Sequence, residues 1–352
     1  MCDSRKRNGK IEMLRILFCC AIIGLHSKSG LCMGGYLGCE FFFMVSGYYI
    51  SKKIEIEASI PKSFYECFLE ALQYTFKRII SLYPFYFVAT VIAILLNYFT
   101  NHNIKVFAAA IGDLLFLHCF GFRCATATGI VWYLCSFYLG MLIVYTFSRK
   151  YTEFFFIVSP LIFLTITGSI VRLFGKMDVP GEYVACLNCG LLRAISGMAA
   201  GFFIYRSSHY IRTNLKATKA IEAFIGGTEI LVWTVVIVYM SAMNDEMALL
   251  DSYITVFIAI GLVISYSGRG IPQEWFSNSF IIIGGKASSI LFMTHYPWLR
   301  FVEKYLMDYS ITFRYSFAIV LSIVTALFVW WAGNKAIRVV IGISNMIMVK
   351  NI

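Results

Sequence analysis

Long apolar runs separated by short polar segments dominate the hydrophobic pattern of this chain. A helix rises about 1.5 Å per residue, so roughly 17–25 apolar residues are needed to cross a bilayer. Ten runs predict membrane-spanning helices at residues 11–31, 33–50, 79–99, 129–148, 154–174, 184–205, 221–241, 248–266, 279–299 and 314–333. The expected fold is an all-α, polytopic transmembrane helix bundle that forms a single domain over residues 1–352.

An eleventh apolar run, at residues 104–121, is interrupted by Asp113 and His118. If only the other ten runs cross and the N-terminus is inside, 19 Lys and Arg lie on the inner side and eight on the outer side. If the eleventh also crosses, the split becomes 15 to 12. Because basic residues accumulate in cytoplasmic loops, the charges favour ten spans with both termini cytoplasmic. Residues 104–121 then form a re-entrant or outer-surface helix.

The amino-acid composition indicates that most of this chain lies in a lipid bilayer. Hydrophobic residues make up 59% of it and charged residues only 14%, with a mean hydropathy of +0.75. Soluble domains carry about 25% charged residues, so a soluble protein is excluded. The net charge of +11 would suggest nucleic acid as the partner of a soluble protein. Here the uneven loop charges explain it, and the expected partner is the lipid bilayer and not nucleic acid.

Two ionisable residues of the first predicted span share one helix face. Arg15 and His26 are eleven residues apart, so they project within about 20° of each other and lie about 16 Å apart along the axis. Ionisable side chains inside a membrane normally face the bundle interior or a watery cavity, so this stripe is a candidate functional pathway. The alternative is that Arg15 reaches the inner surface and His26 is a structural hydrogen-bonding group.

A carboxylate and a hydroxyl follow in the second predicted span. Glu40 lies near its outer end and Ser46 lies deeper. A turn over about residues 27–35 makes the first two spans antiparallel, which allows Glu40 and His26 to lie at similar depth. A carboxylate beside a histidine orients the ring and raises its basicity, as a general base requires. The alternative is that Glu40 simply reaches water at the outer surface.

Other polar residues give weaker indications. Arg193 lies in the middle of a predicted span, where an unpaired charge is costly, so we expect a buried partner for it. Cys186 and Cys189 form a lone C-x-x-C without a second pair or histidines, so no metal site is expected. No phosphate-binding glycine loop or dinucleotide fingerprint occurs, which leaves nucleotide hydrolysis and hydride transfer without support.

Several segments together resemble one known family. The N-terminal part of the chain carries Arg15, then His26, and then a Phe-Phe-x-x-Ser-Gly core within residues 38–50. Further segments are Lys77-Arg78 ahead of Pro84, Trp132-Tyr133-Leu134, and residues 287–297, which end in His295-Tyr296-Pro297. These segments resemble the acyltransferase 3 family, multi-pass membrane proteins that O-acylate glycans and related molecules. Two positions depart from the family's pattern, since Ser81 and Phe137 stand where many members carry an arginine and a glutamate.

The resemblance implies transfer of an acyl group, usually acetyl, from a cytoplasmic thioester such as acetyl-CoA to a hydroxyl of an envelope or exported polysaccharide. It makes acyl-CoA a co-substrate and not a bound cofactor, and it implies a cell-membrane location, most simply a bacterial plasma membrane. His26 is then the expected general base with Glu40 as its orienter. The expected donor-binding residues are Arg15, Lys77 and Arg78, and the further site candidates are Ser46, Trp132 and His295.

Three alternatives stay open at this point. The acyl group can pass through a covalent acyl-His26 intermediate instead of being transferred directly. The same Arg15, His26 and Glu40 can serve a proton relay in a secondary transporter or exporter, although the two related halves common in transporters are not visible here. A degenerate family member that acts as a sensor or scaffold is the third. The sequence leaves the acceptor, the acyl group and the oligomeric state undetermined.

Overall fold

The computed structural model describes residues 7–27, 30–57, 61–216 and 218–350, and within these ranges it contains eleven α-helices. They are α1 (Gly9–His26), α2 (Gly38–Glu57), α3 (Phe64–Asn101), α4 (Lys105–Leu114), α5 (Val131–Lys150), α6 (Thr152–Phe174), α7 (Cys189–Asn214), α8 (Lys219–Ala242), α9 (Asp251–Ser267), α10 (Ser279–Tyr305) and α11 (Ile311–Lys350). A short antiparallel ribbon pairs β1 (Tyr183–Val184) with β2 (Leu187–Asn188). The prediction of a helical protein is confirmed.

Six segments of the described chain are long and apolar enough to cross a membrane. They are Phe64–Asn101, Val131–Lys150, Thr152–Phe174, Lys219–Ala242, Glu246–Ser267 and Ile311–Arg338. By this criterion the chain is a multi-pass membrane protein. The count of ten spans stays a prediction, and the extreme chain ends assigned to the cytoplasm, residues 1–6 and 351–352, lie outside the described residues.

The helix in the ambiguous run at residues 104–121 is short. It is α4, whose ten residues extend about 15 Å, which is only half of a bilayer's hydrocarbon core. A single pass by α4 alone is therefore ruled out by its length. Its placement as a re-entrant or outer-surface helix stays a prediction.

Several helix ends differ from the predicted spans. The first span was expected to reach residue 31, but α1 ends at His26, and the Ser27 N–H closes the last turn on Ile23 O at 3.0 Å. Residues 28–29 lie outside the described residues, and Gly30 takes a φ of 76°, which glycine adopts readily. In contrast, α3 begins 15 residues before the predicted position and α11 ends 17 residues after it. In the extension of α3, Glu70, Gln73 and Lys77 lower the hydropathy but are good helix formers, so the helix continues through them.

The described helices form two compact units. Unit one comprises Met1–Thr75 and Tyr133–Lys286, and unit two comprises Phe76–Trp132 and Ala287–Ile352. Unit one therefore holds α1, α2 and α6 to α9, with most of α5, whereas unit two holds α4, α11 and most of α3 and α10. Within unit one, α2 packs mainly against α7, and α7 also packs against α6 and α9.

Glycines bring α2 and α7 into close contact in unit one. A Cβ on Gly47 would overlap the Met198 carbonyl group, and a Cβ on Gly201 would overlap the backbone of Gly47. A Cβ on Gly197 would lie 2.6 Å from Phe43 Cβ. Gly197 and Gly201 form a G-x-x-x-G sequence, which allows close approach of helix backbones in membranes. The Ser-Gly of the Phe-Phe-x-x-Ser-Gly core thus supplies the glycine at this helix crossing.

Replacing Gly47 with alanine is expected to destabilise unit one by about 1–3 kcal/mol, because the added methyl group forces α2 and α7 apart. Gly168 in α6 offers a matched control, since no atom lies within 4 Å of a Cβ built there. Gly168→Ala should stabilise the protein by up to about 1 kcal/mol, because alanine is the better helix former. Thermal unfolding in one detergent compares the two, and an unchanged midpoint for Gly47→Ala would contradict the close approach.

Candidate functional site

Arg15 and His26 both lie on α1, so the structure confirms that they belong to one helix. Both side chains are half-buried. Arg15 Nη1 lies 3.6 Å from Glu12 Oε1, and the buried Arg15 Nε has no hydrogen-bond partner within the described part of the chain. The guanidinium of Arg15 therefore has donor capacity left for a ligand.

Glu12, at the beginning of α1, contacts two arginines. Its Oε1 accepts a hydrogen bond from Arg7 Nη1 at 3.0 Å and lies beside Arg15 as well. A Cβ on Gly285 would overlap Glu12 Oε2, so α10 approaches this carboxylate through a glycine. Glu12 was not among the predicted site residues. It partly neutralises Arg15 and restricts where the guanidinium can point.

The chain turns back sharply after His26. A Cβ on Gly35 would overlap the Ala21 carbonyl group, and a Cβ on Gly38 would lie 2.9 Å from Ile22 Cδ1. These close approaches require glycine because any side chain would push the returning segment off α1. Consequently α2 runs back along α1, as the sequence predicted, and His26 lies at the end of α1 where the chain turns.

Glu40 forms a buried ion pair with Arg193. Their side chains are 3% and 0% exposed, and the contact is bidentate, with Arg193 Nε donating to Oε1 at 2.6 Å and Nη2 donating to Oε2 at 3.0 Å. Nη2 also donates to Tyr36 O at 3.3 Å, and Nη1 lies 3.8 Å from Asp178 Oδ1. Bidentate guanidinium–carboxylate pairs are among the strongest hydrogen-bonded contacts. The expectation of a buried partner for Arg193 is met by Glu40.

These contacts give Glu40 a different partner from the predicted one. Phe41 stacks on Phe18 with ring centroids 4.3 Å apart. Phe18 precedes His26 by eight residues, or about 12 Å along α1. Glu40, next to Phe41 in the chain, therefore lies nearer the level of Phe18 than that of His26. The physical reason is the tight return at Gly35–Leu37, which starts α2 directly alongside α1. A role for Glu40 in orienting His26 stays a prediction.

Asp251 extends the polar network around Glu40. This residue is 0% exposed and accepts hydrogen bonds from Tyr36 OH at 2.7 Å, Tyr239 OH at 2.8 Å and Met177 N at 2.8 Å. Tyr36 links the two groups, since its carbonyl accepts from Arg193 while its hydroxyl donates to Asp251. Sequence reasoning missed Asp251 because it lies inside an apolar run, where a lone carboxylate does not reveal its partners.

The remaining candidates of the first half of the chain are less enclosed. Ser46 Oγ donates to Phe42 O at 2.8 Å within α2, which is a local helix contact. Lys77 and Arg78 are exposed on the part of α3 that belongs to unit two, and the Arg78 carbonyl accepts from Ser81 Oγ at 2.9 Å. The serine that departs from the family's pattern therefore makes a local bond beside the basic pair.

In unit two, His295 is 0% exposed, and its Nδ1 lies 2.9 Å from Phe292 O. Its neighbour Thr294 donates to Ser322 O of α11 at 3.1 Å, which ties the two helices together. Trp132 is half-buried at the beginning of α5, and its carbonyl is 4.0 Å from Cys119 Sγ. The structure therefore places His295 in the packed interior of unit two.

A polar cavity of about 410 Å³ opens in unit two next to the 287–297 segment. It is lined by the last turns of α3, by residues 125–127 and by the C-terminal part of α10. The polar lining residues are Asn97, Thr100, Asn101, Thr126, Tyr296, Arg300, Glu303 and Lys304.

A strained turn forms one wall of this cavity. Thr126 has a φ of 50°, a left-handed conformation that a β-branched residue rarely adopts and that costs about 1–3 kcal/mol. The buried Asp113 holds the turn, because its two carboxylate oxygens accept from Thr126 N at 3.0 Å and Ala127 N at 3.1 Å. Burial raises the pKa of the Asp113 carboxyl, and these backbone N–H groups act in the opposite direction.

Asp113→Ala is expected to destabilise unit two by about 1–3 kcal/mol, because two backbone N–H groups of the turn lose their acceptors. Limited proteolysis should then cut between residues 121 and 130, since the turn keeps backbone bonds such as Gly129 N to Thr126 O at 3.0 Å but loses both side-chain bonds that hold Thr126 and Ala127. Asp308→Ala is the matched control, because Asp308 is exposed. If Asp113→Ala resists the protease as well as Asp308→Ala does, the turn is not held by this carboxylate.

Metal-binding residues do not cluster in the part of the chain that the structure describes, where no group of three or more His, Cys, Asp or Glu could hold an ion. Cys186 is exposed and Cys189 is buried, and both are free thiols. The lone C-x-x-C therefore remains a pair of thiols in this structure.

The helices define a multi-pass membrane protein, and comparison with known families defines its chemistry. Residues 8–333 match the acyltransferase domain of the acyltransferase 3 family, which is nearly the whole chain and includes parts of both units. The protein belongs to this family, so the resemblance carried by Arg15, His26 and the later motifs is confirmed. No curated protein and no solved structure matched the chain. Neither the match nor the structure supports the transporter alternative.

Proposed function

We propose that this protein is a membrane O-acyltransferase that moves an acetyl group from acetyl-CoA to a hydroxyl of an envelope or exported polysaccharide. The observation that carries the proposal is that Arg15 and His26 both lie on α1, where helix periodicity sets them within about 20° of each other, and that Arg15 Nε has no partner among the described residues. Family membership supplies acyl transfer as the reaction class. The proposed location is a bacterial plasma membrane.

Arg15 is the proposed contact for the anionic part of the donor. A guanidinium binds phosphate oxygens through charge-assisted, often bidentate hydrogen bonds. The thioester end of an extended pantetheine arm can then reach His26, about 16 Å farther along the helix axis. Lys77 and Arg78 offer a second, exposed anion contact on unit two.

His26 is the proposed general base of the transfer. The imidazole takes the proton of the acceptor hydroxyl as the hydroxyl oxygen attacks the thioester carbonyl carbon. The carbon–sulfur bond then breaks, the thiolate of coenzyme A leaves, and the proton on His26 returns to that sulfur. One ester bond forms and one thioester bond breaks, so the reaction needs no further reactant.

An experiment without the acceptor distinguishes direct transfer from transfer through a covalent acyl-histidine. Direct transfer requires donor and acceptor together, whereas an acyl-histidine intermediate forms from the donor alone. Incubating the purified protein with labelled acetyl-CoA and digesting it therefore decides between the two. Direct transfer predicts an unlabelled peptide containing His26, and a labelled one would establish the relay.

Deletion of the gene tests the proposal in the cell. Mass and NMR analysis of the cell-surface glycans should show the loss of one O-acetyl ester, which would identify both the acceptor and the acyl group. Complementation with the wild type should restore the ester, and complementation with His26→Ala should not. An unchanged set of glycan esters in the deletion strain would contradict the proposed acceptor class.

A further inference from the structure

We propose that the cavity of unit two binds the saccharide acceptor as a neutral, hydroxyl-rich ligand. This assignment rests on the proposed function for the identity of the ligand as an acceptor, but its evidence comes from the cavity alone. At about 410 Å³ the cavity lies within the size range of small-molecule sites, about 300–1,000 Å³.

The lining offers both donors and acceptors, which a hydroxyl-rich ligand requires. Asn101 Nδ2 donates to Asn97 Oδ1 at 3.1 Å. In the bonds of the described residues Asn97, which lines the cavity, serves only as an acceptor, so its amide N–H groups keep their donor capacity. The exposed Thr126 adds a hydroxyl that both donates and accepts.

The charges of the cavity favour a neutral ligand over an anion. Arg300 donates through Nε and Nη2 to Tyr296 OH at 3.0 and 2.9 Å, and through Nη1 to Glu303 Oε2 at 3.1 Å. Lys304 donates to the Thr100 carbonyl and to Asn101 Oδ1. Both cations are thus engaged by groups of unit two, whereas a phosphate or coenzyme A site needs cationic donors aimed at the ligand.

The walls of the cavity are held in fixed positions before any ligand arrives. Thr126 is kept at its φ of 50° by Asp113, and strain of this kind concentrates at functional sites. Gly129, with a φ of 71°, lies so close to Tyr296 that a Cβ there would be 2.7 Å from the ring. Tyr296 and Pro297, which line the cavity, follow the buried His295 directly in the chain.

The predicted topology agrees with an exported ligand. The cavity lies at the C-terminal ends of α3 and α10, and the loop charges place both ends on the outer side. A cytoplasmic donor would not meet this cavity first, whereas an envelope or exported saccharide would.

Equilibrium binding without any acyl donor tests the assignment. Full-length protein in lipid nanodiscs is titrated with maltotriose, tri-N-acetylchitotriose and inorganic phosphate, and binding is followed by saturation-transfer NMR. We expect at least one neutral trisaccharide to bind saturably and phosphate not to compete. The double variant Asn97→Ala/Asn101→Ala should weaken that binding about tenfold or more, since several hydrogen bonds are lost. Asn214→Ala, an exposed amide on α7, is the matched control.

A second variant separates binding from folding. Thr126→Gly should raise the unfolding midpoint, because glycine relieves the left-handed strain, while it lowers trisaccharide affinity through loss of the hydroxyl. The assignment is overturned if neither trisaccharide binds, if the Asn variants bind as tightly as the control, or if phosphate displaces the sugar. Trisaccharide binding without acyl transfer by the same protein would contradict the proposed function and leave the saccharide site standing.

Discussion

Replacing His26 with alanine is expected to lower kcat/KM for acyl transfer by about a hundredfold to ten-thousandfold, because the acceptor hydroxyl loses its general base. The half-buried His26 ends α1 and lies outside the packed core, so the variant should insert and fold like the wild type. Initial rates of acetyl-CoA-dependent glycan labelling measure the change, with thermal unfolding as the check on folding.

His209→Ala is the matched histidine control for this experiment. His209 is exposed on α7, so its loss should leave the transfer rate within about twofold of the wild type. If His26→Ala retains full activity, the assignment of the base is wrong. Arg15 is unchanged in both variants, so donor binding should persist in both.

Breaking the buried pair between Glu40 and Arg193 is expected to destabilise the protein strongly. Arg193→Met should destabilise the protein by about 3–5 kcal/mol, because Glu40 is left as an uncompensated buried charge. Glu40→Leu should cost a similar amount for the reciprocal reason. The double variant should recover much of the loss, since apolar side chains of similar volume avoid the desolvation of both ions.

An exposed ion pair provides the control for this cycle. Arg206 and Glu153 approach within 3.0 Å with side chains 53% and 75% exposed, so Arg206→Ala should cost under about 1 kcal/mol. Unfolding midpoints in one detergent compare the four variants. A double variant no more stable than either single variant would show that the pair also has partners whose loss the apolar replacements do not compensate.

The hydrophobic pattern located the helices better than it located their ends. The helical spacing of Phe64, Phe68 and Leu72 predicts a helix before residue 79, but it does not show that this helix continues into the next span as one helix, α3. The end of α11 beyond residue 333 is mostly apolar, but Lys335 and Arg338 interrupt it, and it was not predicted as part of the span. The end of α1 at His26 was missed although Ser27, Lys28, Ser29 and Gly30 follow it, because the predicted span was extended across them to the apolar Leu31. Hydropathy cannot distinguish these cases, whereas the glycines and backbone hydrogen bonds of the structure do.

The site was predictable where it depends on one helix. The spacing of Arg15 and His26 needs only helix periodicity, and the structure places both on α1. The partner of Glu40 depends on tertiary contacts, because Arg193 lies 153 residues farther along the chain. The G-x-x-x-G at Gly197 and Gly201 was a readable signal for close helix packing that sequence reasoning did not use.

Purified protein in liposomes shows whether this chain itself transfers an acyl group to a hydroxyl oxygen. Acetyl-CoA labelled in its acetyl group is supplied on one side of the membrane, and glycan extracted from the deletion strain is supplied on the other. We expect ester-linked label on the glycan, one free coenzyme A thiol for each ester, and labelling by His26→Ala that is at least about a hundredfold slower. Movement of unlabelled glycan or another solute across the membrane, with no ester formed, would contradict it.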